Sequence, residues 1–184
     1  QITALATDPR DGSVWVGTWL RGLYHFDGTE WQWHSARNGL CGKSITALAA
    51  VGTQIWAATT TRGLLQARYD ARFGLLVSAV GFEQGLPSEK AFSILPDEDG
   101  ILVATNRGVV TYRRGKVPPK IIPTRIASQR SHDLREAAST IALEYPQNSL
   151  LLEVAGQSSR TFPEEFQYAF VLTNSKGEEI DRRL

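Results

Sequence analysis

The sequence predicts an all-β chain in which repeated antiparallel sheets are followed by a second β region of a different kind. Three observations carry that expectation. The phrase Ile-Thr-Ala-Leu-Ala starts at Ile2 and again at Ile45, and each copy runs through a Trp-bearing strand to Arg-Gly-Leu. A more divergent copy runs from Ala91 to Arg107-Gly108-Val109, so successive starts lie about 43 and 46 residues apart, a period that marks supersecondary units stacked one on the next. The apolar runs inside each period are short, rich in β-branched and aromatic residues and bounded by Gly, Asp and Asn, which favours strands over helices.

Four strands fit each period. In the first they occupy residues 2–6, 14–17, 22–26 and 30–34, joined by Asp8-Pro9-Arg10-Asp11-Gly12 and by the hairpin signal Asp27-Gly28; Asp99-Gly100 plays the same part in the third. Four antiparallel strands per period, repeated, describe the blades of a β-propeller, a twisted sheet whose two apolar faces need neighbours to cover them. Trp15 and Trp56 stand at equivalent places in the second strands. Packing each indole between blades removes ~150–250 Å² from water, worth several kcal/mol at ~25 cal/mol per Å². Three blades, at about 1–41, 42–87 and 88–118, do not close a ring of the roughly four to eight blades such folds contain. The sequence therefore predicts further blades ahead of Gln1, or another molecule as cover.

From Val117 the repeat is gone. Val117-Pro118-Pro119-Lys120-Ile121-Ile122-Pro123 reads as an extended Pro-rich linker. Three strand-like runs follow, at 140–145, 149–154 and 166–172, in the manner of a β-sandwich occupying 119–184.

Composition narrows the function classes. With 184 residues, 42% hydrophobic, the chain is an ordinary globular one, and a net charge of +1 with no block of like charges gives no footprint for nucleic acid. The single cysteine, Cys41, cannot form an internal disulfide and reads as a loop thiol. No run of ~18 apolar residues spans a membrane. There is no signal peptide and no Met, so the chain reads as a piece of a longer protein.

The repeats resemble the two-component regulator propeller family. The matching pieces are Asn38-Gly39-Leu40 and Gln84-Gly85-Leu86-Pro87 before inner strands, Trp15-Val16-Gly17-Thr18, Trp56-Ala57-Ala58-Thr59 and Leu102-Val103-Ala104-Thr105 in second strands, and the three Arg-Gly-Leu/Val phrases. The remainder resembles the immunoglobulin-like module that follows such propellers, through Asn148-Ser149-Leu150, Pro163-Glu164-Glu165 and Tyr168, with Phe170 where the pattern has a second Tyr; the module is incomplete here. The resemblance implies a periplasmic or extracellular sensor region of a bacterial membrane protein, with a histidine kinase or similar output domain elsewhere in the chain and the membrane reached only through segments outside these residues.

The chemistry-bearing residues point away from catalysis. His25 and His34 fall in outer strands, where a solvated or hydrogen-bonded ring is expected, and His132 stands beside no Ser-Gly or Cys motif that would form a triad. No zinc spacing, EF-hand or phosphate loop occurs, so no metal or cofactor is expected. Recognition falls instead to loops on a rigid scaffold. By analogy with propellers, one face carries Cys41, Lys43, Glu89 and Lys90 from the entry loops and Trp19, Arg21, Arg62 and Arg107 from the loops joining second and third strands. A Trp among cations suits a sugar or an anionic group; the competing reading gives the three Arg residues to turn chemistry, each guanidinium bonding a neighbouring carbonyl. The expected function is non-catalytic sensing of a small molecule or oligosaccharide, compatible with a homodimer; the alternatives are a protein-interaction scaffold and a propeller lyase or hydrolase.

Overall fold

A computed structural model describes every residue except 36–43, 71, 99, 114–116, 144, 147 and 159–165. The described residues are all-β apart from one short 3-10 helix, Leu134–Ala138. They divide into two compact units, Gln1–Arg114 with Gln167–Leu184, and Gly115–Phe166.

The first unit contains three antiparallel meanders. The first sheet runs β1 (Ile2–Thr7), β2 (Val14–Thr18), β3 (Leu23–Phe26), β4 (Trp31–His34), and the second runs β5 (Ile45–Val51), β6 (Gln54–Thr59), β7 (Leu64–Asp70), β8 (Gly74–Val80). The third has β9 (Ala91–Asp97), β10 (Gly100–Thr105) and β11 (Gly108–Tyr112), with no fourth strand among the described residues. Turn chemistry sets the hairpins. Buried Asp8 accepts from Arg10 N at 2.9 Å and from the Arg10 guanidinium, which holds its carboxyl below the usual range, while Gly12 N donates to Asp8 O. The Asp27 carboxylate accepts from the N–H groups of Thr29 and Glu30, both at 2.8 Å.

The doubled phrase is a strand with a built-in bulge. Ile2 pairs with Thr18 and Ala4 with Gly17, so Thr3 is the extra residue; Thr46 is skipped in the second sheet and Phe92 in the third. A bulged residue turns its side chain out of the ladder. Thr3 Oγ1 donates to Ile45 O at 2.6 Å and Thr46 Oγ1 to Ala91 O at 2.8 Å, tying each inner strand to the next. Phe92 has no hydroxyl to offer.

Period-two alternation then gives each sheet a forward and a rear face. The forward face of the first sheet brings Trp15 and Leu23 against the rear face of the second, with Ile45, Ile55, Ala57, Leu65 and Val77. The second junction repeats this with Trp56, Ala58, Leu64 and Val80 against Ala91, Ile101 and Val103. The sequence led one to expect a solvated or hydrogen-bonded ring at His25 and His34, and neither ring is solvated. They lie on the forward face of the first sheet, buried, with His25 4.2 Å from the Trp15 ring and 5.0 Å from Tyr69 of the second sheet. Burial holds both imidazoles below their usual pKa, and the two ring nitrogens of His25 have no hydrogen-bond partner among the described residues.

In the second unit β12 (Lys120–Ala127) pairs antiparallel with β13 (Leu151–Gln157). This corrects the linker expected at 117–123, because the strand begins at Lys120 and includes Pro123. The ladder shifts register between Pro123 and Arg125, and a two-stranded ribbon has a free edge, so the missing N–H breaks no second ladder. The expected strand at 140–145 is absent among the described residues, since alternation alone supplies no partner to pair with. The remaining pair, β14 (Phe170–Thr173) with β15 (Glu179–Arg183), belongs to the first unit. There Gln167 Oε1 accepts from Val77 N at 2.8 Å on the outer strand of the second sheet, and Arg182 donates to Arg72 O and lies 5.9 Å from the Phe73 ring centre.

Candidate functional site

The candidate recognition face is the sheet edge where inner strands begin and second strands end. The same local structure builds it three times. Thr18 Oγ1 accepts from Arg21 N at 3.1 Å and donates to Gly22 O at 2.9 Å; Thr59 does so with Arg62 N (2.9 Å) and Gly63 O (3.1 Å), and Thr105 with Arg107 N (3.1 Å) and Gly108 O (2.9 Å). Next, Trp19 N donates to Gln1 O, Thr60 N to Ser44 O and Asn106 N to Lys90 O, which ties each turn to the segment entering its own sheet. Gly63 shows why the turn carries glycine: its φ is +67°, and a Cβ there would collide with Val80 O.

The turn is therefore made by a threonine hydroxyl and backbone groups. The Arg side chains are free of that task. Of the three guanidinium groups only that of Arg107 bonds a neighbouring carbonyl, Pro87 O at 3.3 Å; those of Arg21 and Arg62 make no hydrogen bond or ion pair among the described residues. The main chain brings neighbouring candidates together, since Gly63 N donates to Glu89 O at 2.7 Å beside Arg62. The Glu89 and Lys90 side chains are exposed, and Trp19 keeps 44% of its surface open. Cys41 and Lys43 lie outside the described residues. What the edge offers chemically is an exposed indole, several exposed cations and one exposed carboxylate, carried on turns closed by threonine hydroxyls and backbone bonds.

Two further features were not legible in the sequence. On the opposite edge a cavity of about 270 Å³ opens between the second and third sheets, lined by Val51, Trp56, Asp97, Glu98, Ile101 and Tyr112 among others. In the second unit, Ser128 Oγ lies 2.8 Å from His132 Nε2, and His132 Nδ1 lies 2.9 Å from Glu136 Oε2, so His132 does have a serine partner after all. The signal was there as Ser, His and Glu spaced four apart, but the Ser to His turn belongs to no helix and helical spacing did not suggest it. The order matches nucleophile, base and orienting carboxylate. Ser128's own N–H, however, already donates to Arg130 O at 2.8 Å, so the nearest backbone donor for an oxyanion is spent. Glu136 also accepts from Asp133 N at the helix start, and these bonds, that from His132 first, hold its carboxyl below the usual range. The arrangement works as a clamp that fastens the strand end at Ser128 to the 3-10 helix.

Among the described residues no group of three or more His, Cys, Asp or Glu side chains is placed to hold a metal ion, and no helix is long and apolar enough to cross a membrane. Compared with protein-family models, characterised proteins and solved structures, the chain matches none of them.

Proposed function

We propose that this chain is the ligand-sensing part of an extracytoplasmic region of a membrane-bound signal-transduction protein, with no catalytic chemistry of its own. In this reading the three meanders are consecutive blades of a β-propeller, the region from 119 onward is an incomplete immunoglobulin-like module, and the ligand is a small molecule or oligosaccharide. One observation carries the ligand-binding part. The Thr-x-x-Arg-Gly turns of the first two sheets are closed without their guanidinium groups, so Arg21, with Trp19 in the same turn, and Arg62 are exposed groups that the fold does not consume.

Calorimetric titration with a panel of neutral and acidic oligosaccharides and small carboxylate and phosphate anions tests it. Saturable binding is expected that disappears in Trp19→Ala and weakens in the Arg21→Ala/Arg62→Ala double variant. Binding indifferent to all three substitutions sinks the reading. A second reading, a protein-interaction scaffold, is favoured by the exposed Trp31 and Trp33 on the rear face of the first sheet.

A further inference from the structure

The hairpin turns on the edge opposite the recognition face differ in how they treat their acidic residues. In the first sheet the turn between β1 and β2 neutralises its own carboxylate, since buried Asp8 is bonded by the guanidinium of Arg10. The turn between β9 and β10 does not. Asp97, which pairs with Gly100 across that turn, and Glu98 are both exposed, and neither forms an ion pair among the described residues. Asp97 Oδ1 accepts from Glu98 N at 2.9 Å, which fixes the carboxylate in place without neutralising it.

These two carboxylates border the cavity of about 270 Å³ between the second and third sheets, both of which belong to the first unit. The rest of its wall is mainly apolar. Val51 and Trp56 come from the second sheet and Ile101 and Tyr112 from the third. Trp56 and Ile101 are buried and Tyr112 is half-buried, so the apolar groups form the inner wall and the exposed acids the mouth. No lysine, arginine or histidine among the described residues lines it.

The repeat explains why space is left here. At the first junction His25 stands opposite Trp15 in the ladder and packs on its ring, with centres 4.2 Å apart. In the second sheet Gln66 takes that place opposite Trp56, and the ring that meets Trp56 comes from the third sheet: Tyr112, 5.6 Å away and tilted by 53°. A more distant, more tilted ring fills less of the space beside the indole. Trp56 Nε1 is also buried without a hydrogen-bond partner among the described residues, a donor that the fold leaves unused.

We propose that this cavity binds a small organic ammonium ion, its charge held by Asp97 and Glu98 at the mouth and its apolar body set against Tyr112, Ile101 and Trp56. Hydrogen bonds between an ammonium group and a carboxylate are charge-assisted and stronger than neutral ones, and an aromatic wall attracts both a ring and a cation. The ligand class follows from the joining of these walls. A bare metal ion gains nothing from the apolar side, a neutral apolar molecule leaves the carboxylates unpaired, and an anion is repelled by them. Size narrows the class further, because about 270 Å³ lies just below the ~300–1,000 Å³ of sites for drug-sized ligands and suits a single ring or a short chain. An oxygen at the end of the ligand away from the ammonium supplies the acceptor that Trp56 Nε1 lacks.

The probes are phenethylamine and tyramine, which adds one hydroxyl at the opposite end of the ring, titrated calorimetrically into the whole 184-residue chain. Both are expected to bind one to one, tyramine about fivefold tighter, while phenylacetate and phenylethanol do not bind. Asp97→Asn/Glu98→Gln keeps the size of both side chains and removes both charges, and is expected to weaken phenethylamine binding about tenfold. Trp19→Ala, on the other edge, is expected to leave it unchanged, so the result is independent of the sensing face. Circular dichroism checks that the variants are folded, and Glu98→Gln alone stands in if the double variant is not. A chain that binds neither amine, phenylacetate or phenylethanol binding as tightly as phenethylamine, unchanged affinity in the carboxylate variant, or loss of amine binding in Trp19→Ala overturns the proposal. Equal affinities for tyramine and phenethylamine overturn the part given to the indole.

Discussion

The two junctions of the first unit bury the same repeat positions with different side chains, and the difference shows which parts of the repeat are required. Both place a tryptophan of the second strand at the centre and both tie inner strands through a bulged threonine. They diverge around that frame. The first surrounds Trp15 with two histidines and opens a glycine notch for Ile45; the second surrounds Trp56 with aliphatic side chains and Tyr112 and meets Ala91 with an alanine. Volume is conserved across each junction while polarity is not.

Removing the common element breaks both sides of the comparison. Trp56→Ala and Trp15→Ala each empty a fully buried site and are expected to lower stability by ~3–5 kcal/mol, measured by urea unfolding. A loss below ~1 kcal/mol at either would mean that its junction is not packed as described. Gly17→Ala separates the two. It forces a methyl against Ile45 and should cost ~1–3 kcal/mol, whereas the same change paired with Ile45→Ala rebuilds the second junction's solution and should recover part of that loss.

Acid sharpens the contrast further. Burial lowers the pKa of His25 and His34 in the fold from the ordinary 6.5, so the folded chain favours the neutral rings. The stability tied to them is fully present above about pH 6.5, where both states are neutral, and is lost as pH falls toward the depressed folded values and the unfolded chain takes up protons. The first junction should weaken on acidification and the second should not. Denaturation followed between pH 7 and 5 is expected to show a slope that disappears in His25→Leu/His34→Leu.

The smallest effects test the turns. Thr59→Val removes a buried hydroxyl that both donates and accepts and should cost ~1–3 kcal/mol, while Arg62→Ala, whose side chain bonds nothing described, should change stability by less than ~0.5 kcal/mol. A large loss in Arg62→Ala would return the guanidinium to structural duty.

The candidate face was legible as a set of loops, because antiparallel pairing of first and second strands puts the start of one beside the end of the other. What the sequence did not single out is the hydroxyl that closes each turn, supplied by Thr18, Thr59 and Thr105, where the competing reading looked to the arginines. A hydroxyl that bonds two to four residues ahead is visible only once the turn is folded. The same reason hid the bulge, since Thr3 inside Ile-Thr-Ala-Leu-Ala looks like any alternating residue until its partner strand skips it.

By itself the sequence determined the strand spacing, the three-fold repetition, the place of Trp15 and Trp56 and the change of character after Val117, because these rest on local alternation, turn residues and period. Tertiary structure decided what each face meets. It buried His25 against Tyr69 and His34 beside Trp15, turned the Pro123 segment into a paired strand, brought Ser128 to His132 and assigned Gln167–Leu184 to the first unit. Each of these outcomes depends on which distant strand or turn supplies the neighbour, and an alternating pattern says which side of a strand is apolar without saying what covers it.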